Sequence, residues 1–245
     1  MISKTNATKE RESLFPSDRR LKKWAKMTRQ FRLPRVWPHS RLEDRLRQVT
    51  FKLKTSNRWI NYNPLVPEST LEHQLKQWFI VLCAAALEFE HGKKLKLSDV
   101  YLLMAVAAGH DVSETVAPDF PWTLKRVPYI GEILDKYEKK QLRDLLNALP
   151  IEAKTMLLAM FKKILSGRSF LAYFFRATEH LGYLMFALLE AEGGKREYLD
   201  VVRNAIAALK AMKADERSIG IRMMYEPLKP RIEALFEHVE ESTVA

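Results

Sequence analysis

Two of the six histidines, His73 and His110, stand where strongly apolar segments turn polar, and His110 is followed directly by Asp111. Residues 109–120 read Gly-His-Asp-Val-Ser-Glu-Thr-Val-Ala-Pro-Asp-Phe, so His110, Asp111, Glu114 and Asp119 fall within ten residues. Neutral imidazole nitrogen and carboxylate oxygen are donors that a divalent first-row ion accepts, provided that they converge from rigid elements. On a helix, His110 and Glu114 share a face, being four apart. An adjacent His and Asp at one helix end, with a His from a facing helix, can chelate such an ion. On residue types alone the alternatives stay open. A His-Asp pair is more often a helix-end hydrogen bond than a ligand pair, and His73 could be a satisfied core histidine. Glu72, Glu114 and Asp119 nearby weigh toward a metal, because burying so many ionisable groups without a counter-charge is costly.

These residues need helices to position them, and the sequence supplies helices. Leu71, Leu75, Trp78, Leu82, Ala85 and Phe89 recur at three- and four-residue steps, which predicts a helix over about 70–90 with Ser69 or Thr70 as its cap. Ser98 with the apolar run 101–108 predicts a second, buried helix that ends close to Gly109-His110-Asp111. Further helices are expected at about 130–147, 151–165, 169–192, 196–212 and 226–240, broken at Pro128, Pro150, Gly167 and Gly193-Gly194. Pro34, Pro38, Pro64 and Pro67 place an irregular boundary near residue 40 and a loop over 61–69. No alternating strand pattern of useful length and no repeat occurs. The expected fold class is all-α: one compact helical bundle over 41–240, behind a basic N-terminal extension, 1–40.

The totals agree with a helical globular protein that is large enough for an enzyme. In 245 residues 47% are apolar and only eight are glycine. Cys83 is the sole cysteine, so no internal disulfide can form; a reducing, cytoplasmic location is expected, and Cys83 is read as a packing residue. No stretch reaches the roughly 18 apolar residues of a membrane span. The net charge of +11 is concentrated at one end, where residues 1–40 carry eleven Lys or Arg against three acids. Such a tail is read first as a solvated, poorly ordered segment and second as a polyanion contact through counterion release. The aromatic-rich stretch from Phe170 to Phe186 is read as core, and Lys136 to Arg143 as a solvated helix face. Trp122 is either a base-stacking residue or a loop residue closing the core.

Several motifs in order carry a resemblance. Asn57-Arg58-Trp59, then Thr70-Leu71-Glu72-His73, then His110-Asp111-Val112-Ser113-Glu114 and a loop reading Asp119-Phe120-Pro121-Trp122-Thr123-Leu124-Lys125 together resemble the HD-domain phosphohydrolases. The likeness is greatest to the bacterial 5'-deoxynucleotidase branch and spans roughly 45–195. It implies an HD-type bundle in which His73, His110 and Asp111 ligate one divalent ion, whether Mn, Co, Fe, Ni, Zn or Mg. It further implies that Glu114 orients or deprotonates the attacking water and that Asp119 assists as an acid near the leaving oxygen. Arg58 would grip the phosphate and Trp59 would border the sugar and help exclude a ribose 2'-hydroxyl. Lys125 is a second anion contact or a solvated loop lysine.

One position departs from the pattern. The family's fourth ligand is an aspartate in a late helix, and the matching segment here, Phe175-Arg176-Ala177-Thr178-Glu179-His180-Leu181, has Glu179 in its place. A glutamate is one methylene longer and can still reach the ion, directly or through water. His180 points about 100° away on a helix and is read as peripheral. The resemblance implies hydrolysis of a (deoxy)nucleoside 5'-monophosphate to nucleoside and phosphate by a homodimer. The alternatives are a nucleoside triphosphate phosphohydrolase, which shares the metal core, and a non-catalytic nucleotide- or nucleic-acid-binding module whose affinity comes from the basic tail.

Overall fold

Ser69 sets the start of the helix that carries His73. Its hydroxyl accepts from the Glu72 backbone N–H at 3.2 Å, and the Glu72 carboxylate accepts from the Ser69 N–H at 2.8 Å. This reciprocal capping box satisfies two of the orphan donors of a helix N-terminus. Glu72 is therefore spent on the cap and lies at the surface, away from the metal-type donors that it was grouped with on sequence grounds.

The structure is a computed structural model that describes residues 39–59, 62–112, 127–147 and 149–244. Its helices are α1 (His39–Thr55), α2 (Thr70–Leu87), α3 (Leu97–Ala107), α4 (Pro128–Leu146), α5 (Ile151–Leu165), α6 (Phe170–Glu192), α7 (Leu199–Ala211), α8 (Ala214–Arg217), α9 (Ile219–Tyr225) and α10 (Lys229–Val244). Among the described residues there is no strand, only one isolated antiparallel bridge between Asn57 and Ser69. The all-α expectation holds, and the boundaries of α2 to α7 and α10 lie close to those expected. Helices α1, α8 and α9 were not expected. Leu42–Ala245 form one compact unit.

Helix α6 is the axis of this unit. It packs against α2, α3, α5, α7 and α9 and buries Leu171 to Phe175, Ala177, Thr178, Leu181, Leu184, Ala187, Leu188 and Ala191. The aromatic content of this stretch is thus core, as expected. Helix α2 meets α6 through a polar seam: Gln77 Nε2 donates to Thr178 Oγ1 at 3.2 Å, and both residues are buried. Gly182 makes that approach possible, since a Cβ there would come 2.8 Å from Gln77 Oε1. Helix α9 also presses closely on α2. A Cβ on Gly220 would lie 2.2 Å from the Ala84 carbonyl oxygen, and the wholly buried Glu88 carboxylate accepts from Ser218 Oγ at 2.6 Å and Gly220 N–H at 3.0 Å.

Two expectations about burial are corrected. Helix α2 turns His73, Gln74, Gln77, Val81, Ala84 and Ala85 inward, so of the apolar row that marks it in the sequence Leu71, Leu75 and Phe89 face out, while Trp78 packs against the core and Ala85 is buried. Leu75 is 56% and Phe79 53% exposed, and Cys83, read as a packing residue, is exposed on the same side. The core face uses small and polar residues because α6 and α9 come too close for large ones. Helix α3 was expected to be buried throughout. It buries Val100, Leu103, Val106 and Ala107, while Tyr101 is 61% exposed. Among the described residues no helix is long and apolar enough to cross a membrane.

Candidate active site

Arg58 and Trp59 come from the irregular segment between α1 and α2, and that segment is pinned at both ends. The Arg58 N–H donates to the Glu68 carbonyl at 2.8 Å, and the Thr70 N–H donates to the Ser56 carbonyl at 2.8 Å, on either side of the Asn57–Ser69 bridge. Trp59 has φ 60°, a left-handed backbone that bulky residues seldom take and that persists only where the surroundings impose it. Those surroundings are aromatic. The indole stacks on Phe186 at 5.1 Å and 15°, with Tyr62, Tyr183 and Tyr198 about it at 5.8–6.0 Å.

His73 lies one turn inside α2, while His110 and Asp111 follow α3 in a short turn. The helices bring these three residues together, with one donor atom from each lying within 4.8 Å of the others. His73 Nε2 is 3.5 Å and His110 Nε2 3.3 Å from the same oxygen, Asp111 Oδ2. Both Nε2 atoms are buried and neither has a hydrogen-bond partner. His110 Nδ1 is 2.9 Å from the Ala107 carbonyl. A carbonyl can only accept, so this contact assigns the ring proton to Nδ1 and leaves the lone pair on Nε2. Burial, then the neighbouring Arg58 guanidinium, lowers the His73 pKa below the ordinary imidazole value and favours the neutral ring. The unpartnered Nε2 atoms of His73 and His110 converge on the Asp111 oxygen, which also accepts from Arg58. This donor set fits a divalent ion.

The lining helix α6 contributes three residues one turn apart. Phe175 packs edge-on against the His110 ring at 5.4 Å, and Tyr183 stacks on the His73 ring at 6.0 Å. Glu179, between them, places Oε1 3.7 Å from His110 Nε2. It lies outside the set of three donors within 4.8 Å, at the edge of the site. Burial pushes its carboxyl up to about 7; His110 opposes that rise and Asp111 adds to it. Arg58 and Arg176 also oppose the rise, so burial outweighs the positive charge around this carboxyl. His180 sits edge-on to Tyr183 and is not among the converging donors.

Arg58 is buried, and its Nη1 donates to Asp111 Oδ2 at 2.8 Å. Glu68 was not singled out in the sequence. Its carboxylate is buried, accepts from Trp59 Nε1 at 3.0 Å and Lys76 Nζ at 2.9 Å, and faces His73 Nδ1 at 3.7 Å. Burial alone would raise its pKa, but His73 and Lys76 outweigh that and hold it at about 2. The 3.7 Å separation makes the His73 contact a charge-dipole contact rather than a hydrogen bond. Glu114, Asp119, Lys125 and Trp122 lie outside the described residues.

The expected family is matched over most of the chain: the family described as 5'-deoxynucleotidase YfbR-like covers residues 46–228. No curated protein matches the chain. Among solved structures the fold is similar to an HD-domain phosphohydrolase from Listeria innocua, with TM-score 0.67 and 15% identity over 82% of this chain and 99% of that one. It is also similar to a conserved hypothetical protein from Pyrococcus furiosus, with TM-score 0.58 and 20% identity over 79% and 98% of the two chains. The PH0347 protein from Pyrococcus horikoshii follows, with TM-score 0.55 and 18% identity over 78% and 96%. At these identities the structures speak for the fold, and the family match together with the His73, His110 and Asp111 cluster speaks for the chemistry. This chain belongs to the YfbR-like 5'-deoxynucleotidase family of HD-domain phosphohydrolases and is a metal-dependent phosphohydrolase.

Proposed function

We propose that the protein hydrolyses the phosphate monoester of a nucleotide, a deoxynucleoside 5'-monophosphate, to nucleoside and inorganic phosphate. The observation that carries this reading is the convergence of His73 Nε2, His110 Nε2 and Asp111 Oδ2 beside the Arg58 guanidinium. His73, His110 and Asp111 would hold the divalent ion, with Glu179 as the fourth ligand from α6. When bound, the ion lowers the pKa of water and screens the charge of the phosphate. Arg58 offers two parallel N–H donors to the phosphate oxygens. Trp59, fixed by its stack on Phe186, borders the sugar and disfavours a 2'-hydroxyl. In this reading Glu114 takes the proton of the attacking water and Asp119 returns one to the 5'-oxygen as its bond to phosphorus breaks. Lys125 is a further anion contact.

The expected homodimer and cytoplasmic location belong to the same proposal. The outward apolar row Leu71, Leu75 and Phe79 on α2 supports a covered face. The basic segment 1–40 lies outside the described residues up to position 38, and its polyanion contact is proposed as separate from the chemistry.

Phosphate release from a panel of deoxy- and ribonucleoside mono- and triphosphates tests the reading. Metal-stripped protein is assayed with each divalent ion added back and with Asp111→Ala as control. Release confined to monophosphates and lost in Asp111→Ala is the expected result. Release from triphosphates alone replaces the substrate assignment, and silence from folded, metal-loaded protein leaves a binding module.

A further inference from the structure

The Glu68 carboxylate touches both halves of the site. Its Oε2 accepts the Trp59 indole N–H at 3.0 Å and faces His73 Nδ1 at 3.7 Å, so one oxygen serves the residue assigned to the sugar and a residue assigned to the metal. Its Oε1 takes Lys76 Nζ at 2.9 Å, and its carbonyl accepts the Arg58 N–H at 2.8 Å. Glu68 is only 3% exposed. Burying a carboxylate is costly unless partners repay it, so the group needs the contacts that it makes.

Each contact has a consequence for the neighbour. For His73 Nε2 to present a lone pair toward Asp111, the ring proton must sit on Nδ1, and Nδ1 is the nitrogen that faces Glu68. At 3.7 Å the carboxylate acts on the ring through its charge, which favours the tautomer with the proton on Nδ1 and strengthens Nε2 as a donor to a cation. For Trp59, the hydrogen bond fixes the indole on a backbone that is itself left-handed, so the ring is held at both its backbone and its edge.

We infer that Glu68 is a positioning residue that couples metal affinity to sugar discrimination, His73 carrying its effect to the ion and Trp59 to the ribose or deoxyribose. The inference rests on the nucleotidase reading for its sugar half only. The two halves respond differently to two substitutions. Glu68→Ala removes both contacts. Glu68→Gln keeps an oxygen that can accept the indole N–H while removing the negative charge behind His73.

The test uses full-length protein, with Mn²⁺ binding to metal-stripped samples measured by calorimetry. Alongside it, the kcat/KM ratio for a deoxynucleoside 5'-monophosphate over its ribo counterpart is measured, with p-nitrophenyl phosphate as a substrate lacking any sugar. Glu68→Ala should weaken Mn²⁺ binding by about 10- to 100-fold and bring the deoxy-to-ribo ratio down to that of Trp59→Phe. Glu68→Gln should weaken Mn²⁺ similarly yet retain the wild-type ratio. Trp59→Phe should change the ratio and leave Mn²⁺ binding intact. Unchanged Mn²⁺ affinity in Glu68→Gln, which preserves volume and so tests the idea even where Glu68→Ala fails to fold, overturns the coupling. So does a Trp59→Phe ratio equal to wild type. If wild type cleaves p-nitrophenyl phosphate but neither nucleotide, the nucleotidase reading and the sugar half of this inference fall together, while Mn²⁺ binding still decides the His73 half.

Discussion

Arg58 Nη1 lies 2.8 Å from Asp111 Oδ2, the same oxygen that faces both His73 Nε2 and His110 Nε2. A guanidinium thus already supplies positive charge to the carboxylate that a divalent ion would use. An ion binding at Oδ2 competes with Arg58 for it, and a guanidinium turned away from Asp111 is available to a phosphate.

Arg58→Ala should therefore separate binding of substrate from binding of metal. A hydrogen bond to a charged group is worth about 1.5–3 kcal/mol, so KM for the nucleotide should rise by about 10- to 150-fold. Mn²⁺ affinity should stay equal to wild type or improve. Steady-state kinetics with metal titration checks both, and a loss of metal binding would show that Arg58 supports the ion rather than competing with it.

Glu179→Ala asks whether α6 contributes a ligand. If Glu179 coordinates the ion, Mn²⁺ affinity should fall by at least about 10-fold and Glu179→Asp should restore part of it. Calorimetry decides; an Mn²⁺ affinity unchanged in Glu179→Ala places the fourth ligand elsewhere.

Gly220→Ala should destabilise the bundle without touching the chemistry. The added methyl would press on a backbone carbonyl 2.2 Å away, at Ala84, which no rotamer change can relieve. Overpacking of this kind costs about 1–3 kcal/mol. At about 2–4 °C per kcal/mol for a domain of this size, Tm should drop measurably in a thermal melt. A Tm equal to wild type would mean that α9 slides on α2 freely.

Removing residues 1–38 should leave kcat/KM for a free nucleotide unchanged and abolish salt-sensitive retention on a polyanion column. Retention that survives truncation would assign the polyanion contact to the bundle instead.

Periodicity made the helices around the site legible because α2, α3 and α6 are long enough to repeat their pattern. It did not reveal which face of α2 is inward. Leu71 and Leu75 belong to the row that looks like core, but the close approach of α6 at Gly182 and α9 at Gly220 reserves the interior for Gln77 and Ala84 beside Ala85, the one member of that row that is fully buried. Short helices such as α8 and α9 offer too few turns for a period to show. His73, His110 and Asp111 could be singled out by their place at apolar helix ends, but it was the order of the motifs that grouped them, since residue types alone left a helix-end hydrogen bond and a core histidine open. Glu68 could not be, since nothing local marks one loop glutamate among thirty acidic residues as the partner of a tryptophan nine residues back.

Phe175, Glu179 and Tyr183 occupy successive turns of one face of α6 and meet His110 and His73 from a single side. Their placement depends on helical phase more than on any one side chain. Inserting or deleting one residue within α6 ahead of Phe175 would rotate all three by about 100° and withdraw the support of both imidazoles at once. Over evolutionary time this helix can exchange residues one by one, but it cannot change its length upstream of the site, and lineages that retain the activity should show substitutions there without gaps.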